Sequence, residues 1–158
     1  MRTCSGSSEA APIKIGFVSR QQPESIRLAQ MLIYQIECED KGVTIFVDED
    51  LALQIGRQGT TVAEMERQKV DFIVSVGGDG TILRTIHKMA DPVPILGINM
   101  GTLGFLVDVE PKDAVETLRR LLSGFDVDVR SRLKLLLNGV HISMKISFGM
   151  FGVKLIDF

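Results

Sequence analysis

The chain has 158 residues, enough for one domain with a core, and its 45% apolar content argues against a disordered protein. Its net charge of -2 is spread over both signs with no basic block, so no nucleic-acid partner is expected. Cys4 and Cys38 form neither a disulfide framework nor a metal-ligand spacing, which fits a reducing cytoplasm. Met1 to Ala11 is small and polar without the apolar centre of a signal peptide, and no run is long enough to span a membrane. Residues 1–12 are therefore expected to be a flexible tail on a cytoplasmic protein with no membrane partner.

Ile13 to Val18 reads as a first strand. Pro23 is placed to open a helix over Glu24 to Glu37, whose Ile26, Ala29, Leu32, Ile33 and Ile36 share one face. Gly42 ends that helix, and Val43 to Val47 reads as a second strand. Asp48 to Gly59 is acidic and then glycine-punctuated, which predicts a loop with at most one helical turn. Thr61 to Lys69 reads as helix and leads into a buried strand at Asp71 to Val76. A helix over Thr81 to Met89 follows, stopped by Pro92 and Pro94. Ile95 to Ile98 is a short buried strand, and Asn99 to Gly104 is a glycine loop. Pro111 opens a helix to Leu122, closed by Gly124, and Val127 to Leu137 has the pattern of a strand.

Strands alternating with helices predict an α/β fold with a mainly parallel sheet and flanking helices. Both glycine loops follow strands, so they lie at the carboxyl edge, where open α/β sheets bind ligands. The end of the chain is different. Val140 to Phe158 is apolar and mixed, with Phe148, Met150, Phe151, Val153, Leu155, Ile156 and Phe158 and no helical stripe. It reads as a segment cut short or altered. Its large apolar side chains suggest self-association.

Chemistry concentrates in the glycine loops. The first, Gly77-Gly78-Asp79-Gly80-Thr81, joins a buried strand to a helix. Glycines let backbone N–H groups approach phosphate, and the positive helix end favours it. Asp79 is then unexpected, because a carboxylate repels phosphate. It could accept a proton from an attacking hydroxyl, hold a magnesium ion, or only cap the helix. Arg84, about one turn further on, could return to the phosphate or pair with Asp79. The second loop runs from Gly97 through Asn99, Gly101 and Gly104 to Phe105 and Leu106. Phe105 could stack on a ring, but from the loop alone a core role for it is the stronger expectation, and Asn99 is expected to satisfy turn backbone. His87 reads as a solvated or core-edge histidine. Asp48-Glu49-Asp50 reads as a solvated charge run rather than a metal site.

Taken together, the loops resemble the NAD kinase family. That family carries Gly-Gly-Asp-Gly-Thr after a buried strand and Asn-x-Gly-x-x-Gly-Phe-Leu after the next one, here Gly77 to Thr81 and Asn99 to Leu106. The first motif is shared with diacylglycerol and sphingosine kinases and, in a close form, with phosphofructokinases. The second is more specific, and the Pro-x-Gly-Thr-x-Asn stretch of diacylglycerol-type kinases is absent. The resemblance spans about Ile13 to Asn138, including Arg130-Ser131-Arg132-Leu133. It implies a Rossmann-like nucleotide-binding kinase domain over 13–138. It also implies transfer of the γ-phosphoryl of ATP, or of polyphosphate, to the adenosine ribose 2′-hydroxyl of NAD. A divalent ion, magnesium, would accompany the donor, with no metal ligands assigned in the chain. Asp79 would be the catalytic base. Asp79, Gly80, Arg84 and Phe105 would contact NAD. Gly77, Gly78, Gly80 and Thr81 would shape the phosphate site for ATP. The implied assembly is a homo-oligomer, dimer or tetramer.

The departure is at the end. Family members continue into a β-rich second domain that opens with an Asn-Glu pair. Neither Asn99 nor Asn138 precedes Glu, so 139–158 reads as an aberrant or truncated start of that domain, and this chain alone is expected to be weak or inactive. Two alternatives stand beside the NAD kinase reading. One is a lipid kinase of the diacylglycerol or sphingosine type, and the other a non-catalytic nucleotide-binding or assembly module.

Overall fold

A computed structural model describes residues 12–39, 42–101, 104–107, 109–124, 127–129, 132–137, 140–145 and 155–157, with side chains described up to residue 124. Met1 to Ala11, Thr102, Leu103, Arg130, Ser131, Asn138 and most of the end of the chain lie outside the described residues.

The described residues form these elements in chain order: β1 Ile13–Ser19, α1 Pro23–Glu39, β2 Val43–Val47, α2 Glu49–Ile55, α3 Val62–Arg67, β3 Phe72–Gly77, α4 Asp79–His87, β4 Ile95–Asn99, α5 Ala114–Leu122, β5 Val127–Val129, β6 Arg132–Leu137, β7 Val140–Lys145 and β8 Leu155–Asp157. A short 3-10 turn at Pro111–Asp113 leads into α5. The main sheet has the order β2-β1-β3-β4-β8-β5. Its first four strands are parallel, with Phe17 opposite Val47 and Val74, and Val76 opposite Ile98. β8 lies antiparallel to β4, and β6 and β7 form a separate hairpin. The α/β, mainly parallel expectation therefore holds.

Two apolar layers cover the sheet. On one face, Phe17, Val47, Val74 and Val76 pack under α1, α2 and α5 through Ala29, Leu32, Ile33, Ile36, Leu51 and Leu118. On the other, Val18, Ile73 and Ile95 pack under α3 and α4 through Val62, Met65, Ile82 and Ile86. Successive strand residues alternate between the layers because strand side chains alternate faces. Each fully buried Leu, Ile or Phe contributes about 1.5–3 kcal/mol as an upper figure. α1 presents the predicted face, with Ile26 only half-buried.

Two expectations need correction. Asp48 to Gly59 holds a seven-residue helix, α2, rather than a loop. Leu51 and Ala52 are buried in the first layer, and Gly56 closes the helix at φ 67°, its N–H donating to the Ala52 carbonyl. The strand expected over Val127 to Leu137 is two strands, β5 and β6. The terminal stretch, where the pattern named no element, carries β7 and β8. Elsewhere boundaries move by at most two residues, except that α5 starts three residues after Pro111, which opens the 3-10 turn instead. Thr61 caps α3, its Oγ1 accepting from the Glu64 N–H at 3.1 Å.

Candidate functional site

Strand order reverses between β1 and β3, since β2 lies outside β1 and β4 outside β3. The carboxyl ends of these two strands therefore flank a topological switch point, the usual ligand crevice of an open α/β sheet. β3 delivers the first glycine loop there. Val76 and Gly77 are buried, Gly78 is the extended cap before α4, and Asp79 is the first helical residue, two positions earlier than Thr81. The Thr81 N–H donates to the Gly78 carbonyl at 2.9 Å. A carboxylate in the first turn is favoured by the helix dipole.

Asp79 does not cap the helix: Gly78 is the N-cap and no side chain bonds the N–H groups of this end. The Asp79 Oδ2 accepts the Phe105 N–H at 2.8 Å and its Oδ1 accepts the Leu106 N–H at 3.1 Å. The carboxylate thus ties the first glycine loop to the second. A Cβ on Gly104 would stand 2.5 Å from Asp79 Oδ1 and 3.0 Å from its Cγ, so only glycine leaves room for the carboxylate. A second tie comes from the Met100 N–H, which donates to the Gly77 carbonyl at 2.6 Å. Gly77 is glycine for the same reason of space: a Cβ there would overlap Thr81 Oγ1 and stand 2.9 Å from Thr81 Cβ. Asn99 does what was expected of it, its Oδ1 accepting the Gly101 N–H at 3.0 Å.

The other sequence-predicted residues fall into place around this junction. Thr81 is buried, Gly80 exposed, and a Cβ on Gly78 or Gly80 would meet nothing within 4 Å. That openness leaves the start of α4 clear on its solvent side. Phe105 is 87% exposed, which overturns the core role expected for it from the loop alone. Its N–H is held by Asp79 while its side chain stays exposed. Arg84 is exposed on α4, and the Asp79 oxygens are held by loop N–H groups rather than by Arg84. Sequence reasoning missed Gly104 and Leu106 as partners of Asp79. The only available signal was the fixed position of Gly104 in the second motif.

The acidic run is not a solvated loop. Asp48 is buried at the end of β2, while Glu49 and Asp50 are exposed in the first turn of α2. Burial pushes the Asp48 carboxyl above the usual carboxylate range, against the pull of Lys88, whose Nζ lies 3.7 Å from Oδ1. No group of three or more His, Cys, Asp or Glu among the described residues could hold a metal ion. Among them, too, no helix is long and apolar enough to cross a membrane. Cys38 is exposed and not in a disulfide, and His87 is exposed on α4.

Comparison with known proteins agrees with this geometry. A family model described as the ATP-NAD kinase N-terminal domain matches residues 15–125. An NAD kinase of Methanosarcina mazei is 47% identical over 137 residues, covering 86% of this chain and 46% of the relative. One of Thermococcus kodakarensis is 41% identical over 130 residues, covering 80% and 46%. The chain spans about half the length of the curated relatives it matches. A crystal structure of an Archaeoglobus fulgidus NAD kinase in complex with ATP superposes with a TM-score of 0.57 at 27% identity, over 82% of this chain and 45% of that one. A yeast NADH kinase complexed with NADH shares the fold with a TM-score of 0.70 at 20% identity, over 85% and 46%. These matches set the lipid kinase alternative aside: with both motifs joined through Asp79 at the switch point, the chain belongs to the ATP-NAD kinase family and matches its N-terminal domain.

Proposed function

We propose that this chain provides the glycine-loop half of an NAD kinase, which transfers the γ-phosphoryl of ATP to the adenosine ribose 2′-hydroxyl of NAD. The observation that carries this is the junction at Asp79, where a carboxylate, a helix start and two glycine loops meet at the carboxyl edge of the sheet. Gly77, Gly78, Gly80 and Thr81 shape the phosphate site, with backbone N–H groups of the first turn of α4 available to oxyanions. Gly80, Arg84 and the solvent-facing Phe105 ring contact the dinucleotide.

Asp79 takes the proton from the 2′-hydroxyl. Each of its oxygens accepts one loop N–H and keeps a second lone pair, so it can be held in place and still accept a proton. A ribose hydroxyl is a poor nucleophile, and phosphoryl transfer depends mainly on positioning and charge neutralisation. The described residues offer no cage for magnesium, and both Asp79 oxygens already accept N–H groups. The ion fits instead as a companion of the ATP phosphates, which with water satisfy its oxygen preference. Polyphosphate would present the same oxyanions. A cytoplasmic homo-oligomer, dimer or tetramer, completes the reading.

The test joins residues 1–138 to the C-terminal half of the Methanosarcina mazei relative and follows NADP formation from ATP and NAD. Asp79→Asn should abolish most turnover while the far-UV spectrum is kept. Retention of most of the rate would refute the base role, and label from ATP appearing in diacylglycerol rather than NAD would refute the substrate.

A further inference from the structure

We propose that Arg20 is a phosphate-binding residue of this site, beside the first glycine loop. The inference rests on the kinase reading above and adds to it a residue that neither glycine motif contains.

Arg20 directly follows β1, and β1 and β3 flank the switch point. Its N–H donates to the Val76 carbonyl at 2.8 Å, fixing it beside the strand that delivers Gly77. A Cβ on Gly77 would stand 3.2 Å from Arg20 Cβ, so the two residues are immediate neighbours. By strand alternation, Arg20 lies on the α4 face, with Val18, rather than with Phe17 on the α1 face. The arginine is half-buried, yet its Nε is buried with no hydrogen-bond partner. Its Nη2 donates to the Oε1 of Gln22, a neutral and exposed side chain. Arg27, Arg57, Arg67 and Arg119 each pair with a glutamate. Among the described residues Arg20 has no carboxylate partner.

A guanidinium presents a planar fork matched to two oxyanion oxygens, and such charge-assisted pairs are the strong ones. Here Nε lacks an acceptor and Nη2 has a replaceable one. A phosphate entering beside Gly77 would displace the exposed Gln22 amide and take both N–H groups. The oxyanion could belong to the ATP triphosphate or to the pyrophosphate of NAD, since both present the same oxygens.

The test is calorimetric titration of the 158-residue chain with ATP, NAD, tripolyphosphate and adenosine. Loss of one charge-assisted contact predicts that Arg20→Gln weakens binding of the phosphate ligand about tenfold. Arg20→Lys should recover part of the loss, because charge is kept without the fork. Gln22→Ala should bind as tightly as wild type or tighter, whereas a merely structural Arg20–Gln22 bond would make it weaker. Adenosine affinity should not change. Weakening confined to ATP and tripolyphosphate assigns Arg20 to the donor, and weakening confined to NAD assigns it to the acceptor. Wild type that binds nucleotide, with an equally tight and folded Arg20→Gln variant, overturns this inference alone. Wild type that binds neither nucleotide, both as this chain and when joined to the C-terminal half of the relative, overturns the kinase reading and this inference with it.

Discussion

The Asp79–Gly104 contact can be tested as a coupled pair. In Asp79→Ala the Phe105 and Leu106 N–H groups lose an ionised acceptor at 2.8 and 3.1 Å. Hydrogen bonds to charged groups contribute about 1.5–3 kcal/mol when buried, but Asp79 is only half-buried, so a combined cost of about 2 kcal/mol is reasonable. In Gly104→Ala the new Cβ would lie 2.5 Å from Asp79 Oδ1 and 3.2 Å from Oδ2, so the carboxylate must give up its bonds or the loop must move. That variant should also lose about 2 kcal/mol. The two losses share a cause. Once the carboxylate is gone, the alanine at 104 has no oxygen to strike, so the double variant should lose about 2 kcal/mol rather than about 4, a coupling of about 2 kcal/mol. Urea unfolding followed by circular dichroism reads each loss as a midpoint shift of about 1 M. Additivity of the two single effects would refute the claim that Gly104 is glycine because of Asp79.

Three further outcomes are expected. Gly77→Ala, which forces a Cβ into Thr81, should destabilise by about 1–3 kcal/mol, while Gly78→Ala, whose Cβ meets nothing within 4 Å, should be near neutral; equal midpoints in thermal melts would refute the close-approach reading. Arg119, aided by Gln35, holds the Glu39 carboxyl down to about 2, so this link between α5 and α1 stabilises the fold fully above the ordinary carboxylate pKa and fades as pH falls towards 2. The melting difference between wild type and Arg119→Gln should shrink across that acid window, and a pH-independent difference would show that the ion pair is not its source. Asp48 is raised by burial, so its ionised form weakens the fold at neutral pH; Asp48→Asn should raise the melting temperature at pH 7, with the gain vanishing below the ordinary carboxylate pKa, and a lower melting temperature at pH 7 would mean that the contact to Lys88 outweighs burial.

The elements around the site were legible because their causes are local. Ile13 to Val18, Val43 to Val47 and Phe72 to Val76 are short β-branched and aromatic runs bounded by turn residues, and they form the inner strands β1 and β3 and the edge strand β2. α1 was legible from one apolar stripe ended by a glycine. α2 was not, because its acidic start and the glycines at 56 and 59 mask two buried positions, Leu51 and Ala52. Parallel pairing of β5 with β8 joins segments far apart in sequence, which no local pattern records. The same holds inside the site. Asp79 and its partners are separated by 26 and 27 residues, so periodicity could flag the carboxylate as out of place but not say what holds it. Phe105 was misread for a related reason: an aromatic residue in an apolar run reads as core, and its exposure follows from tertiary placement that no local pattern records.

That bond also explains why the two motifs travel together. A carboxylate at the start of α4 is favoured by the helix end, but under the proposed function it sits beside the phosphate site, and alone it would oppose the ligand. Accepting two N–H groups from the second loop fixes its position and spreads its charge over donors. The second loop can offer those N–H groups only if nothing projects from the residue before Phe105, which is the position of Gly104. The glycine of one motif is therefore a steric consequence of the aspartate of the other. Met100, donating to the Gly77 carbonyl, closes the same ring from the opposite side. The result is a carboxylate held by backbone N–H groups of the loop after β4 rather than by mobile side chains. The base proposed for Asp79 must meet a hydroxyl in line with a phosphoryl group and would gain most from that kind of support, because misplacement by about 1 Å costs on the order of a hundredfold in rate.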